Sequence, residues 1–272
     1  MGARDTVVAA AWLACQAVRM SDIRSPTVIV ANGVAMPLLG LGTWEASDQE
    51  AYDAVRIALD LGYRLIDTAT MYGNEAAVGR GVRDSGLPRE EVFVTTKLRA
   101  SDAGRERETI RASLNAMGLD YLDLWLIHSP VARGSGAGTW QRFVEARDAG
   151  LTRAIGVSNY SPAEIDELTN ATGVVPAVNQ IEWTPALYDA STVSAHRDRG
   201  VTLEGYSPFK AADLREPVLT AIAEDHGVTV PQVILRWHLE HGFVAIPKST
   251  DAGRIAENFD VFGFSLAAEV VK

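Results

Sequence analysis

Four residues of this 272-residue chain, Asp67, Tyr72, Lys97 and His128, could together donate a proton to a developing alkoxide. A carbonyl that receives a hydride needs that proton, and a phenol is a poor donor near neutrality because its ordinary pKa is about 10. A neighbouring ammonium lowers that value by stabilising the phenolate. A carboxylate beside the ammonium keeps it oriented and charged, and an imidazole can hold the carbonyl by a hydrogen bond. Taken singly, the residues have plainer readings: Asp67 as a helix cap, Tyr72 as a packed aromatic, His128 as a structural histidine. Lys97 is the hardest to read plainly, because an amine at the end of a buried strand is costly unless it is paired. Asp67 is the natural partner. His128 has no second histidine or cysteine at ligand spacing, so no metal site is expected.

A second set of residues suits a dinucleotide. Ser158, Asn159 and Gln180 carry hydroxyl and amide groups matched to a carboxamide such as that of nicotinamide, and Tyr206 offers a flat face for stacking. Lys248, Ser249, Thr250 and Arg254 form a basic, hydroxyl-rich cluster at a helix start. Two cations there point to a 2′-phosphate, hence to NADP(H) over NAD(H); the plainer reading is a solvated surface.

These residues must be positioned by elements, and the chain supplies them in alternation. Segments 27–30 and 35–39 flank Asn32-Gly33, a two-residue hairpin signal. Ser47 and Asp48 can cap a helix running to Leu61. Strand-like runs then alternate with helical ones: 64–66 and 75–84, 92–96 and 103–117, 122–127 and 139–149, 154–157 and 162–169. The second half continues with 177–178 and 191–199, then 201–204 followed by helices 217–225 and 231–240, then 243–246 and 252–258. Counting 38–41 as the first strand gives eight strand–helix units. The strands are short and apolar on both faces, which predicts an α/β fold, a (β/α)8 TIM barrel preceded by a β-hairpin. Asp67, Lys97, His128, Ser158-Asn159, Asn179-Gln180, Tyr206-Ser207 and Lys248-Ser249-Thr250 each follow such a strand, and in this barrel chemistry sits at the C-terminal strand ends. A doubly wound sheet is the other architecture weighed, but no GxGxxG follows an early strand; Gly134-Ser135-Gly136-Ala137-Gly138 reads as a shortened loop.

The bulk numbers agree with a globular protein. Apolar residues make up 47% and charged residues 22%, and the net charge of −10 argues against a nucleic-acid or anionic-membrane partner. Cys15 is the only cysteine, which excludes an internal disulfide and fits a reducing, cytoplasmic compartment. Residues 6–18 are apolar but too short to span a bilayer. Met20 reads as a natural start, so residues 1–19 are expected to be a weakly ordered extension and 20–272 a single domain.

The chain closely resembles the aldo-keto reductases, among them prokaryotic members similar to diketogluconate reductases. The resemblance spans residues 27–266. It rests on GLGTW at 40–44, GYRLIDTATMYGNE at 62–75, TTKL at 95–98 and LIHSP at 126–130. AIGVSNY at 154–160, VNQIEW at 178–183, GYSPF at 205–209 and IPKSTDAGRIAENFDVF at 246–262 complete it. It implies that Tyr72 is the general acid, that Lys97 and Asp67 tune it, and that His128 orients the substrate. It implies nicotinamide contacts from Ser158, Asn159, Gln180 and Tyr206. Lys248, Ser249, Thr250, Arg254, Glu257 and Asn258 are then expected at the adenosine phosphate and adenine, with Gly42, Thr43 and Ser207 completing the cofactor site. Trp44 and Ser129 are expected to border the substrate. Relatives usually carry Trp where this chain has Ser129, so the expected pocket is wider and more polar. Loop 130–138 is short, and the chain ends at LAAEVVK, where relatives usually continue into a C-terminal tail.

The expected activity is NADPH-dependent reduction of aldehydes, α-keto esters or sugar-derived ketones by a monomer or weak homodimer. Two alternatives come from other classes: an NADPH-binding regulatory barrel with little turnover, and a Schiff-base isomerase or aldolase built on Lys97.

Overall fold

The computed structural model describes residues 25–131, 136–210 and 212–268; the expected extension 1–19 lies outside them. Thr27–Val30 (β1) and Val34–Pro37 (β2) pair antiparallel. Their turn is the three-residue segment Ala31–Gly33 rather than the expected two-residue one. Gly33 takes a left-handed φ of 75°, which closes such a loop without a Cβ penalty. The hairpin lies against the N-terminal ends of the strands that begin near Thr202 and Val244.

Eight strands follow, all parallel and in sequence order: Leu41–Gly42 (β3), Leu65–Asp67 (β4), Phe93–Leu98 (β5), Leu122–Ile127 (β6), Thr152–Ser158 (β7), Val178–Glu182 (β8), Thr202–Tyr206 (β9) and Val244–Ile246 (β10). The first and last of them are stitched together. Gly40 N donates to Ala245 O at 2.9 Å, Gly42 N to Pro247 O at 3.1 Å and Ala245 N to Leu38 O at 2.8 Å. The sheet is therefore a barrel, as the alternating pattern predicts.

Helices wrap it: Asp48–Leu61 (α1), Glu75–Asp84 (α2), Glu106–Met117 (α3), Gly136–Asp148 (α4), Pro162–Thr172 (α5), Ala190–Asp198 (α6), Pro217–His226 (α7), Val230–Glu240 (α8) and Ala252–Phe259 (α9). Three start at capping boxes, Ser47 with Glu50, Ser161 with Glu164 and Thr229 with Gln232, which satisfy otherwise orphaned N–H groups. Trp125 on the outer face of β6 stacks on Phe143 of α4, ring centroids 3.7 Å apart. Tyr63 donates to Ile255 O at 3.0 Å and so anchors α9 beneath the seam. Among the described residues no helix is long and apolar enough to cross a membrane.

Several strands run further than hydropathy suggests. β5 reaches Leu98, β7 Ser158, β8 Glu182 and β9 Tyr206. Polar residues therefore sit inside the ladders, not after them. Directly paired residues of a parallel sheet share a face, and faces alternate along each strand. Asp67 pairs with Thr95, Lys97 with Leu126, Ser158 with Gln180 and Gln180 with Glu204. All of these point into the barrel near its C-terminal mouth.

Candidate active site

Lys97, deep in β5, is fully buried with its ammonium directed across the barrel. Nζ donates to Asp67 Oδ1 at 2.5 Å, Thr68 O at 2.9 Å and the Tyr72 hydroxyl at 3.3 Å. These use all three of its N–H groups. An amine so committed is poorly placed to attack a carbonyl, which removes the support for a Schiff-base site. Tyr72 ends the short turn Thr70–Tyr72, and Thr70 ties that turn to Lys97 O at 3.0 Å. Lys97 occupies one lone pair of the phenol, and among the described residues no acceptor takes the phenol's own proton. The rings of His128 and Trp44 stand 5.7 and 4.8 Å from that of Tyr72. The four expected catalytic residues are thus brought together, with Trp44 on one side.

The electrostatics follow from burial. Desolvation works against the Lys97 charge, yet Asp67 and Tyr72 outweigh it and hold the ammonium above the ordinary lysine range. Burial pushes Asp67 up, opposed by Lys97 and by the hydrogen bond from Gln180. The chemistry of the isolated set predicts that Lys97 lowers the Tyr72 pKa below its ordinary value, and in the folded chain it does not. Burial raises it, and Lys97 offsets that only in part. The phenol therefore stays protonated and available as an acid. Burial, reinforced by Lys97 and Arg99, drives His128 down to about 3, so the imidazole is neutral.

Facing the tetrad is a cavity of about 300 Å³ lined by Gly42, Trp44, Tyr72, His128, Ser158, Asn159, Gln180, Tyr206, Ser207 and Lys248, among others. Gln180 Nε2 donates to Asp67 Oδ2 and to Glu204 Oε2, each at 3.0 Å, which leaves Oε1 as its acceptor toward the cavity. Ser158 donates to Gln180 O at 2.8 Å and accepts from Asn159 Nδ2 at 3.0 Å. Tyr206 donates to Asn159 Oδ1 at 3.0 Å, bracing its ring across the rim. Asn159 and Ser207 have left-handed φ of 60° and 50°, conformations rare for residues with side chains and frequent at sites.

Lys248 and Arg254 are exposed beside Ser249, whose hydroxyl accepts from Arg254 Nε at 3.4 Å at the start of α9. A free amide carbonyl, an aromatic face and a cationic helix start fit a nicotinamide dinucleotide. Thr250 is half-buried and Asn258 is buried on the same segment. Two of the expected cofactor contacts also make hydrogen bonds within the fold. Thr43 donates its hydroxyl to Asp67 O at 2.9 Å, and Glu257 Oε1 accepts from Thr229 at 2.6 Å, joining α9 to α8. Ser129 adjoins His128 but is not part of the cavity lining. A second cavity of about 470 Å³ lies outside the barrel between α3 and α4, lined by arginines and glutamates of mixed sign and remote from the tetrad.

Asn74 and Glu204 are two buried polar residues beside the site to which the sequence pattern assigns no role. Asn74 donates to Thr43 O at 2.9 Å and Ala46 O at 3.0 Å, and accepts from Thr68 at 2.8 Å. It joins the loop carrying Trp44 to the turn carrying Tyr72. Its place in YGNE marks it as near the site, but the two acceptors of its amide, Thr43 and Ala46, are distant in sequence. The other is Glu204, whose only signal is an acid between Leu203 and Gly205 in an apolar strand.

With this geometry in view, the relatives are informative. The family model described as the aldo/keto reductase family matches residues 38–272. An "Aldo-keto reductase" of Mycolicibacterium vanbaalenii is 46% identical over 248 residues, covering 90% of this chain and 89% of that protein. "Morphine 6-dehydrogenase" of Pseudomonas putida is 45% identical over 262 residues, covering 90% and 88%. Among solved structures, an aldo/keto reductase from Brucella melitensis superposes with a TM-score of 0.88 at 41% identity, covering 91% of this chain and 97% of that one. A Bombyx mori aldo-keto reductase in complex with NADP gives 0.84 at 34% identity, covering 92% and 91%. Barrel, mouth and motifs agree with this match over most of the chain: the protein belongs to the aldo/keto reductase family, oxidoreductases that act on carbonyl compounds with a nicotinamide cofactor.

Proposed function

We propose that this chain is an NADPH-dependent carbonyl reductase with Tyr72 as its general acid. The observation that carries the proposal is the buried relay Asp67–Lys97–Tyr72, with links of 2.5 and 3.3 Å, whose last proton has no acceptor among the described residues. When bound, the reduced nicotinamide supplies the hydride. Gln180 Oε1, Ser158 and Asn159 hold its carboxamide, and the Tyr206 ring stacks on it. Lys248 and Arg254 receive the 2′-phosphate, a reading supported by the NADP complex of the silkworm relative. His128, neutral, donates to the carbonyl oxygen and turns it toward Tyr72. Tyr72 gives up its proton as charge develops on that oxygen, and Lys97 compensates the phenolate left behind. Asp67 keeps Lys97 charged and aimed. Trp44 supplies an apolar wall for aldehydes, α-keto esters or sugar-derived ketones.

The test is Tyr72→Phe, with NADPH consumption followed over a panel of such substrates. Turnover is expected to fall about a hundredfold or more while NADPH binding is retained. A variant that reduces carbonyls at the wild-type rate would refute the mechanism.

A further inference from the structure

Glu204, in the middle of β9, is fully buried and not used by the mechanism above. It pairs with Gln180 of β8 on one side and Val244 of β10 on the other, so its carboxyl faces the barrel interior. Oε2 accepts from Gln180 Nε2 at 3.0 Å, and Oε1 has no partner among the described residues. The same Gln180 nitrogen donates to Asp67 Oδ2, also at 3.0 Å. Two carboxyl groups thus grip one amide. Turned over, that amide would aim its carbonyl oxygen at the Asp67 carboxylate, so the orientation with Nε2 toward Asp67 is favoured. The charged and titratable groups facing Glu204 are Asp67 from β4, Lys97 from β5 and Tyr72 beyond β4. β8 and β10 present only neutral Gln180 and Val244 to it. Two carboxylates against one ammonium would leave an uncompensated negative charge in a desolvated site. Burial, and then repulsion from Asp67, push the Glu204 carboxyl up to about 8, so it holds a proton at neutral pH.

Given the nicotinamide reading of the cavity, we propose that Glu204 is a positioning residue. With Asp67 it clamps the Gln180 amide so that Oε1 is presented to the nicotinamide carboxamide, and as a neutral acid it adds no charge to the balanced Asp67–Lys97 pair. Ionisation of Glu204 places a negative charge near Tyr72, which strengthens the phenol's hold on its proton and slows its transfer.

The full-length protein tests this by spectroscopy, by cofactor binding and by turnover. Infrared spectra of the cofactor-free chain should contain a protonated-carboxyl stretch that fades as the pH passes about 8 and is absent from Glu204→Gln. NADPH titrated by fluorescence quenching should bind Glu204→Leu about tenfold more weakly, and Glu204→Gln should recover most of that loss, because a glutamine oxygen can still accept from Gln180. In turnover, the wild-type decline above that pH should be missing from Glu204→Gln. Survival in Glu204→Gln of the band that fades as the pH passes about 8, or wild-type NADPH affinity in Glu204→Leu, overturns the proposal. An active Tyr72→Phe variant would defeat the reductase mechanism yet leave both binding and infrared outcomes decisive for Glu204. Wild-type protein that binds no NADPH defeats both.

Discussion

Each end of the barrel buries an aspartate against cations, and the two are built differently. At the N-terminal end, Asp123 accepts from Arg89 at 2.7 Å, Arg153 at 3.1 Å and Val94 N at 2.9 Å. Those guanidiniums reach water, with side chains 20% and 45% exposed, and Arg89 also lies over the Tyr121 ring. At the C-terminal mouth, Asp67 and Lys97 are both sealed from water and face a Glu204 oxygen and a phenol proton that have no partner among the described residues. An arginine fork that spans core and solvent is a cheap way to finish a carboxylate. A lysine buried with its carboxylate is stabilising only if every donor is used, and it leaves charge next to whatever enters the cavity. One end is closed chemically, the other is left poised.

The contrast is broken most severely by removing the two cations in turn. Lys97→Met strands the buried Asp67 charge, and unfolding in urea should show a loss of about 3–5 kcal/mol. Turnover should fall by at least about a hundredfold, because Tyr72 loses the ammonium bound to its hydroxyl. Arg153→Met should cost about 0–1 kcal/mol and leave turnover unaltered, its pair being partly solvated. Equal losses at the two ends would erase the distinction. A milder test concerns the exposed cation beside the mouth. Arg254→Ala should raise the KM for NADPH about tenfold, about 1.4 kcal/mol, with the NADH value unchanged; a parallel rise with both cofactors would show that no 2′-phosphate is read there.

The smallest expected effect is a missing one. His128 is held down to about 3, so its imidazole remains neutral through the range where an ordinary histidine titrates. The pH profile of kcat should therefore have no step near 6.5, and a histidine-dependent break there would show a solvated ring. The sign for stability runs the same way. Between about 3 and the ordinary histidine value the unfolded chain binds a proton the folded chain refuses. The His128 contribution is thus present above that window and lost as the pH falls through it.

Much of this was legible without coordinates. The eight-unit alternation led to the barrel, and the residues following apolar runs led to Asp67, Lys97, His128 and Gln180. Helix starts were legible too, because a capping box is written within four residues, as at Ser47 and Glu50. Hydropathy ended the strands too early because it treats a polar residue as the end of a run. In a closed barrel the ladder continues, and alternation carries Asp67, Ser158 and Gln180 inward. Glu204 was hidden for that reason. Asn74, Thr43 and Glu257 were visible within motifs, but the bonds from Asn74 to Thr43 and Ala46, from Thr43 to Asp67 and from Thr229 to Glu257 span 31, 28, 24 and 28 residues.

Local order, hydrophobic period and motif spacing lie within short windows of chain, and from them the amino-acid sequence determined the barrel, the candidate tetrad and the nicotinamide reading. Only the tertiary structure decided which protons are held. Burial, not chain order, raises Tyr72, silences His128 and leaves a proton on Glu204. Desolvation depends on everything that surrounds a group, and no stretch of sequence contains its own surroundings.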